Sequence, residues 1–333
     1  MQRRIAILIA DGFTDSGLSV GLDVFRCANA IAQRSGRLAP FKVTVVSANG
    51  GRVRAASGMV VEPTRSLRSA ARADVVLAPG FWVEDTAQLD AALERDDMRR
   101  LIGALGAAHA RGAIVGSSCA GAFLLAEAGV LDGLAATTTW WLAPHLKRRR
   151  PKIRVDAARA LVVEGRVVSA GAVFAQADLA LHLVTRFAGP SLSRRCARLL
   201  LLDEHPSQAP YMAIGYLSTT DASVERAEAW IREHLAEDFD VALVARRAGT
   251  SPRTLARRLA GAVGLSPIGF VQRLRVEAAV QLLRTTRLSF EEIGRRVGYS
   301  DANALRRLIR RETSSTPREL RRVSGGVTAA LAE

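Results

Sequence analysis

The sequence predicts an α/β domain built on a doubly wound parallel sheet, followed by an all-α domain that carries two helix-turn-helix units. Three observations lead to this prediction. Short apolar segments alternate with helical segments over the first 190 residues, as in a parallel sheet covered on both faces. Four strong helix-start signals follow one another between residues 251 and 319. With 333 residues, the chain is long enough to form two hydrophobic cores.

The elements of the first domain are predicted from the spacing of apolar residues. Strands are predicted at Arg4–Ala10, Phe41–Ser47, Asp74–Ala78 and Ala113–Ser117, and helices at the segment with the stripe Leu18, Leu22, Phe25 and Ala28 and at Met98–Arg111. The segment Leu161–Ser169 predicts a hairpin that turns at Glu164-Gly165. A final helix is predicted over Ala172–Phe187, ending at Gly189-Pro190.

A strand that runs through a turn of small residues directly into a helix is predicted around Cys119, in the sequence Gly116-Ser117-Ser118-Cys119-Ala120-Gly121. Such an elbow exposes a nucleophile at the carboxyl edge of a sheet. The helix N-terminus is expected to favour a thiolate there. Gly80 ends the preceding strand and is expected to offer a backbone N–H beside Cys119.

Residues 3–190 resemble the PfpI-like members of the class I glutamine amidotransferase-like superfamily, which implies a flavodoxin-like sheet. The resemblance rests on Ala6–Phe25, Ala78-Pro79-Gly80, Cys119-Ala120-Gly121, Ala136-Thr137-Thr138-Thr139-Trp140 and Ser169-Ala170-Gly171. Ala120 stands where PfpI-like enzymes often have His, and Thr139 where related regulators often have His. The acid of some members aligns with Gly17, although Asp15 is near enough to substitute. None of the five histidines lies in a recognisable catalytic context, so we expect a metabolite sensor without catalytic residues, cofactor or metal.

A ligand pocket is predicted at the carboxyl edge of the sheet, where open α/β sheets bind ligands. Its candidate residues are Asp15, Gly80, Phe81, Trp82, Cys119, Ala120 and Trp140. Aromatic faces with Asp15 and Glu84 nearby favour a cationic or quaternary-ammonium metabolite. Related regulators are associated with amino acids such as arginine and with betaine-type compounds. The alternative is that these tryptophans pack in the core or in a dimer interface.

The second domain contains two units of one plan, each a short apolar helix, a turn at a glycine and an arginine-bearing helix. The first unit pairs Val241–Ala248 with Ser251–Val263 across Gly249, and the second pairs a helix that begins at Ser289 with Asp301–Glu312 across Gly298. The helix starts are Ser251-Pro252, Ser266-Pro267, Ser289 with Glu292, and Thr316-Pro317 with Glu319. The second helix of such a unit enters the DNA major groove.

This stretch resembles the DNA-binding domain of the AraC/XylS family of transcription regulators. The resemblance rests on Ala245, Gly249, Leu255–Leu259, Gly264–Pro267, Ile293-Gly294, Val297–Ser300, Leu305–Arg307 and Thr316-Pro317. It implies double-stranded DNA as a partner. We expect major-groove contacts from Arg253, Thr254, Arg257, Asn303, Arg306 and Arg307, and phosphate contacts from Arg258, Arg310 and Arg311.

The positive charge of the chain is concentrated in the same stretch. Residues 241–323 hold 18 Arg and 6 acidic residues, a net charge of +12, whereas residues 1–240 have a net charge of +4. Arginine outnumbers lysine 44 to 3 throughout, so solvated helix faces in an arginine-rich protein are the competing explanation. The charge together with the doubled motif favours DNA binding.

The predicted organisation is a ligand-sensing and dimerisation domain over 1–190, a linker over 191–220, a DNA-binding domain over 221–323 and a flexible tail over 324–333. The sequence has no apolar run near the ~20 residues of a membrane span. Its apolar N-terminal run is interpreted as a strand and not as a signal peptide. Cys27, Cys119 and Cys196 have no spacing that suggests pairing or metal binding, which fits a cytoplasmic protein without a membrane partner.

These observations together predict a cytoplasmic, sequence-specific transcription regulator that forms a homodimer and responds to a small-molecule effector. RNA polymerase stays open as a further partner. One alternative is a cysteine-dependent amidotransferase-like hydrolase with an accessory DNA-binding domain, for which Cys119 would be the nucleophile. The other is a DNA-binding protein whose first domain only dimerises.

Overall fold

The computed structural model describes residues 2–203, 205, 207–208, 221–313 and 315–321. The chain forms two compact units, residues 1–208 and 209–333, which are described separately. The predicted linker residues 209–220 and the predicted tail 324–333 lie outside the described residues. The first unit runs to residue 208, past residue 190.

The first unit contains eleven strands in its described part. They are β1 (Arg3–Ile9), β2 (Phe41–Ser47), β3 (Val53–Arg54), β4 (Val60–Val61), β5 (Arg65–Ser66), β6 (Val75–Ala78), β7 (Ile114–Ser118), β8 (Ala135–Ala136), β9 (Arg154–Val155), β10 (Leu161–Glu164) and β11 (Val167–Ala170). Seven form one sheet in the order β10-β11-β7-β6-β1-β2-β5, and β3-β4 and β8-β9 form two small ribbons. Every pair in the main sheet is parallel except β10 with β11, the hairpin predicted at Glu164-Gly165.

Helices cover both faces of this sheet. They are α1 (Asp15–Arg34), α2 (Thr86–Glu94), α3 (Asp96–Ala110), α4 (Ala122–Glu127), α5 (Ala143–Arg149), α6 (Gln176–Ala188) and α7 (Pro190–Leu199). Strand β1 divides its side chains between two apolar cores: Ala6 and Leu8 pack with helices α2 to α5, whereas Ile5, Ile7 and Ile9 pack with α1, α6 and α7. This alternation confirms the doubly wound arrangement that the sequence predicts.

Helix α7 was not predicted as a complete element. Gly189, with a φ of 90°, ends α6, and Pro190 then occupies the first turn of α7. Proline has no backbone N–H, and the N–H groups of a helix's first turn have no partner within the helix in any case. Gly189-Pro190 can therefore end one helix and begin another. The sequence therefore marks the end of α6 correctly.

The second unit is helical in its described part. Its helices are α8 (Ala222–Glu233), α9 (Val241–Arg247), α10 (Pro252–Ala262), α11 (Pro267–Thr285), α12 (Phe290–Arg296) and α13 (Ala302–Thr313), followed by a helical turn at 317–321. The pairs α9–α10 and α12–α13 are the two helix-turn-helix units, and α11 joins them. None of the helices in the described part of the chain is long and apolar enough to cross a bilayer.

The four predicted helix starts all carry a side-chain cap. The hydroxyls of Ser251, Ser266, Ser289 and Thr316 each accept a hydrogen bond from the backbone N–H three residues on, at 3.1–3.3 Å. At Thr316 the cap is reciprocal, because the Glu319 carboxylate accepts from the Thr316 backbone N–H at 2.7 Å. At Ser289 it is not, since Glu292 accepts from Arg296 instead at 3.1 Å.

Candidate functional site

The predicted elbow between β7 and α4 is present, and its backbone is tightly packed. Cys119 has a φ of 53°, a conformation that few non-glycine residues adopt. A Cβ placed on Gly80 would lie 2.7 Å from the Cβ of Cys119, and one on Gly121 would lie 2.6 Å from the carbonyl oxygen of Ala78. Glycine is therefore required at both positions for β6 and β7 to bring the elbow together.

The elbow is held by a shell of hydrogen bonds. The backbone N–H of Cys119 donates to the carbonyl of Gly171 at 2.7 Å, and the Thr138 hydroxyl donates to the carbonyl of Cys119 at 2.8 Å. The Thr139 side chain and the Ala120 backbone N–H lie beside the Cys119 thiol and act to lower its pKa. The threonines at 137–139 thus fix the elbow from the side.

Gln208 also belongs to this shell of hydrogen bonds, although the sequence did not mark it as a site residue. Its amide Nε2 donates to the carbonyls of Thr138 and Ala157, both at 2.8 Å. A Cβ on Gly171 would lie 2.5 Å from Gln208 Oε1, so Gly171 leaves the space that this side chain fills. No local pattern in the sequence marks Gln208, because its partners are at least 49 residues away along the chain.

The Cys119 thiol is protonated at neutral pH. Burial raises its pKa to about 11, although the hydrogen bonds from the Ala120 backbone N–H and from Thr139 act in the opposite direction. The expectation that the helix N-terminus favours a thiolate is therefore wrong. A single N–H reaches the sulfur, and its effect is smaller than the cost of placing a charge in this buried site.

Possible bases near Cys119 have other partners. The Asp15 carboxylate accepts hydrogen bonds from the hydroxyl and the backbone N–H of Ser57. His145 Nε2 lies 3.0 Å from Asp90 Oδ1. A Cβ on Gly17 would lie 2.5 Å from the Thr14 hydroxyl, so the acid of the related enzymes has no room there. Among the described residues, no carboxylate or imidazole contributes to the pKa of the Cys119 thiol.

The residues predicted to bind a ligand separate into two groups. Phe81 and Ala120 are buried in the apolar core, 4% and 0% exposed. Trp82 is 65% exposed, and its backbone N–H donates to the carbonyl of Gly12 at 2.8 Å. Trp140 is half-buried and follows the threonines that hold the elbow. Gly80, Cys119, Trp82 and Trp140 thus remain as candidates.

Helix α10 presents the predicted arginines of the first helix-turn-helix unit. Leu255 and Leu259 are buried beneath it, whereas Arg253 and Arg257 are exposed on another face. Neither arginine forms a hydrogen bond or ion pair with another residue in the described part of the chain. The Thr254 hydroxyl accepts from Ser251 Oγ at 3.0 Å. Two guanidinium groups four residues apart are therefore available to an external partner.

Helix α13 presents a more ordered polar face. Arg306 donates to the Asn303 side chain at 2.7 Å and lies over the Phe290 ring, 5.0 Å from its centroid. Arg307 lies 3.8 Å from Asp301 in an exposed ion pair, which contributes little to stability. Arg310 is exposed. These four of the five predicted contact residues of this helix thus lie on its solvent face.

Arg258 and Arg311 have internal partners. Arg258 donates to the Ser223 hydroxyl at 2.8 Å and lies 3.5 Å from the carboxylate of Asp221, the cap of α8. Arg311 pairs with Glu312 at 2.8 Å. Arg258 therefore joins α10 to α8, a role that its spacing in the sequence does not reveal because α8 lies in another segment.

Two family models match the chain. Residues 3–186 match the DJ-1/PfpI family, and residues 244–323 match a helix-turn-helix domain. The first match includes the whole main sheet and the elbow. The second begins within α9 and includes the rest of both helix-turn-helix units. Together they account for the two compact units as separate, recognisable domains.

Relatives with both domains are known as regulators. The chain is 25% identical over 320 residues to the HTH-type transcriptional regulator GbdR of Pseudomonas aeruginosa, covering 95% of this chain and 83% of that one. It is 28% identical over 335 residues to the HTH-type transcriptional regulator GlxA of Rhizobium meliloti, covering 97% of each chain. The similarity thus runs through both domains and the segment between them.

The fold of the first unit also matches solved structures. The structure of Drosophila melanogaster DJ-1beta superimposes with a TM-score of 0.50 and 22% identity, covering 61% of this chain and 100% of that one. A complete DJ-1 fold thus corresponds to the first unit alone. The chain therefore belongs to the DJ-1/PfpI family, and it is a DNA-binding transcription regulator in which an AraC-type helix-turn-helix domain follows the DJ-1/PfpI domain.

Proposed function

We propose that the first unit senses a small cationic metabolite, an amino acid or a quaternary-ammonium compound, and that binding changes how the second unit occupies its operator. The observation that carries this proposal is the 65% exposure of Trp82 two residues after Gly80, beside the elbow. Ligands of open α/β sheets bind at this carboxyl edge. An exposed indole there offers a face to a cation.

A carboxylate near Trp82 supports a cation over a neutral ligand. Glu84 follows it by two residues, is exposed, and accepts a hydrogen bond from the Gln88 amide at 3.3 Å. An indole face with a neighbouring carboxylate matches the two features that a quaternary ammonium group recognises. Asp15 is a less suitable partner because Ser57 already occupies both of its oxygens.

A sensing role suits Cys119 better than catalysis does. Burial raises the pKa of its thiol to about 11, so the thiol is neutral at pH 7, and among the described residues no carboxylate or imidazole contributes to that pKa. Nucleophilic catalysis by cysteine requires a thiolate or an adjacent base. We propose that the elbow shapes the pocket floor, in line with the names of the relatives that span both domains.

We propose that helices α10 and α13 contact the DNA. Arg253, Thr254 and Arg257 would meet base edges in one major-groove segment, and Asn303, Arg306 and Arg307 in the next, with Arg310 on phosphate. The expected assembly is a cytoplasmic homodimer. Light scattering tests this part, since a mass of 35.7 kDa would indicate a monomer. Contact with RNA polymerase is tested by transcription in vitro from a promoter that carries the operator.

The ligand proposal is tested by titrating the full chain with glycine betaine and with L-arginine while tryptophan fluorescence is recorded. We expect a saturable change for at least one of the two compounds, each of which carries a cationic group. The change should disappear in Trp82→Leu and persist in Trp230→Phe, because Trp230 stacks on His234 in the second unit. Flat titrations with both compounds would contradict a cationic effector. A response that survives in Trp82→Leu would place the site elsewhere.

A further inference from the structure

Two cysteines that are far apart in the sequence meet in the first unit. Cys27 lies on α1 and Cys196 on α7, and these helices pack against each other on one face of the sheet. Cys196 is buried in one apolar cluster and Cys27 packs against the same cluster, so the two side chains lie on the same face of the sheet. Cys27 also contributes to the raised pKa of Cys196. Both are free thiols in the structure. Their spacing in the sequence suggested no pairing, because only the fold brings α7 back to α1.

We propose that Cys27 and Cys196 form a reversible intramolecular disulfide when the protein meets a hydroperoxide. The bond would tie α7, the last helix described in the first unit, to α1, the first helix. Facing thiols on two packed elements are the arrangement from which a disulfide forms with little backbone movement. Because both thiols belong to one chain, the disulfide forms without a second protein molecule.

The different exposure of the two thiols sets the order of the chemistry. Cys27 is partly exposed, whereas Cys196 is fully buried, so a hydroperoxide reaches Cys27 first. The Cys27 sulfur attacks the peroxide O–O bond, which gives a sulfenic acid and releases an alcohol, or water when the oxidant is hydrogen peroxide. The Cys196 sulfur then attacks the sulfenic sulfur. The S–S bond forms, the S–O bond breaks and water leaves, so two thiols and one hydroperoxide give one disulfide, one alcohol and one water.

The surroundings of Cys196 suit a resolving thiol and not an initiating one. Burial, with the neighbouring Cys27, raises its pKa to about 12, whereas the positive charge of Arg195 acts in the opposite direction. Such a thiol does not compete for peroxide at neutral pH. Once Cys27 is oxidised, its position against the same apolar cluster as Cys196 makes their reaction intramolecular and therefore fast.

The elbow cysteine does not take part in this reaction. Cys119 is held by Thr139 and Ala120, and its own burial raises its pKa to about 11. It belongs to the opposite apolar cluster, across the sheet from Cys27 and Cys196.

The proposal is tested on the reduced full-length chain, treated with hydrogen peroxide and then alkylated under denaturing conditions. We expect the oxidised chain to lose two hydrogens in mass and to retain one alkylatable thiol of three. Peptide mapping should recover a Cys27–Cys196 linkage that dithiothreitol removes, and Cys119→Ser should give the same linkage. Cys27→Ser should keep Cys196 alkylatable after the same treatment.

Cys196→Ala serves as a second variant, because it leaves Cys27 able to react without its partner. We expect a sulfenic acid or a disulfide-linked dimer in this variant, visible by trapping with dimedone or on a non-reducing gel. Three alkylatable thiols in the treated wild-type chain would overturn the proposal. So would a linkage between chains as the main product of the wild type, or loss of Cys119 before Cys27.

Discussion

The Cys119 thiol is the residue at which a sensor and a cysteine hydrolase predict opposite behaviour with pH. Its pKa is raised to about 11, so the folded state favours the protonated form, and the thiolate fraction rises about tenfold per pH unit through the neutral range. Since the thiolate is the nucleophile, its alkylation rate by iodoacetamide should rise in the same way from pH 6 to about pH 10. Mass spectrometry of the Cys119 peptide measures this rate. Rapid alkylation at pH 6, with no dependence on pH, would instead indicate an activated nucleophile.

Arg257 is the residue that best tests base recognition. It is exposed on α10 and forms no bond with another described residue, so Arg257→Ala should leave the free energy of unfolding unchanged. If it contacts a guanine, the change should weaken operator binding by ~1–3 kcal/mol and weaken binding to unrelated DNA much less. Fluorescence anisotropy with the two DNA sequences measures both. Arg310→Ala is the matched control, because a lost phosphate contact should weaken binding to the operator and to unrelated DNA by the same factor. If Arg257→Ala also weakened binding to the two DNA sequences equally, Arg257 would be a phosphate contact.

The turns of the two helix-turn-helix elements look alike in the sequence but differ in their packing. Gly249 and Gly298 both have positive φ values, 70° and 79°. A Cβ on Gly249 would lie 3.4 Å from the end of the flexible Arg226 side chain, whereas one on Gly298 would overlap the carbonyl oxygen of Leu235. The Leu235 carbonyl is part of the backbone and cannot move aside, whereas the end of the Arg226 side chain can.

Alanine substitutions at these glycines should therefore differ in effect. Gly249→Ala should cost about 1 kcal/mol of stability, the strain of a left-handed alanine. Gly298→Ala should cost roughly 1–3 kcal/mol more, because the added methyl group is overpacked. Urea denaturation followed by circular dichroism, with hydrogen exchange to assign the loss to α12 and α13, measures the difference. Equal losses would mean that the overlap is relieved by a small backbone shift.

A buried arginine joins the connecting helix α11 to α13. Arg273 is 6% exposed, and its guanidinium lies 3.5 Å from Glu277 and 3.4 Å from Glu312. In Arg273→Ala, Glu277 keeps Arg232 and Glu312 keeps Arg311 as partners, so we expect a loss of about 1–3 kcal/mol in the free energy of unfolding from the buried contacts of Arg273. Arg296→Ala is the control, because its pair with Glu292 is exposed and should contribute under ~0.5 kcal/mol. Similar losses in the two variants would show that the burial of Arg273 has no energetic consequence.

At this scale, elements with local signals were predicted well and elements without them were not. The caps at Ser251, Ser266 and Thr316 are decided within one helical turn, so the sequence places those helices correctly. Strand β5 is two residues long and pairs only with the end of β2, which no periodicity reveals. The start of α7 at Pro190 was missed because proline both ends and begins helices.

At the scale of the whole molecule, the sequence predicts the position of the elbow at Cys119 well. It predicts poorly which residues from distant segments pack around that elbow. The elbow at Cys119 and the approach of Gly80 follow from the rule that neighbouring parallel strands end at one edge. The contact of Gln208 with Thr138 and the meeting of Cys27 with Cys196 depend on how distant segments return to the sheet. The pKa of Cys119 was misjudged for the same reason, since burial is a property of the fold.

The charge of the whole molecule makes salt the decisive variable in any test of DNA binding. With a net charge of +15, of which +12 lies in residues 241–323, the chain should bind DNA of any sequence at low salt. If it contacts 6–10 phosphates, that binding should weaken ~10³–10⁵-fold between 50 and 200 mM salt. A specific complex has a similar dependence on salt but begins ~10³–10⁷-fold tighter.

At near-physiological salt the protein should therefore retain only a few discrete fragments from a mixture of genomic DNA, and sequencing those fragments identifies them. The double variant Arg253→Ala with Arg257→Ala should lose this selectivity while keeping most of its low-salt binding, because the other arginines of the second unit remain. The cation that quenches Trp82 should then change the occupancy of the retained sites. Uniform retention that vanishes with modest added salt would mean phosphate attraction alone, and the specific contacts proposed for α10 and α13 would have to be withdrawn.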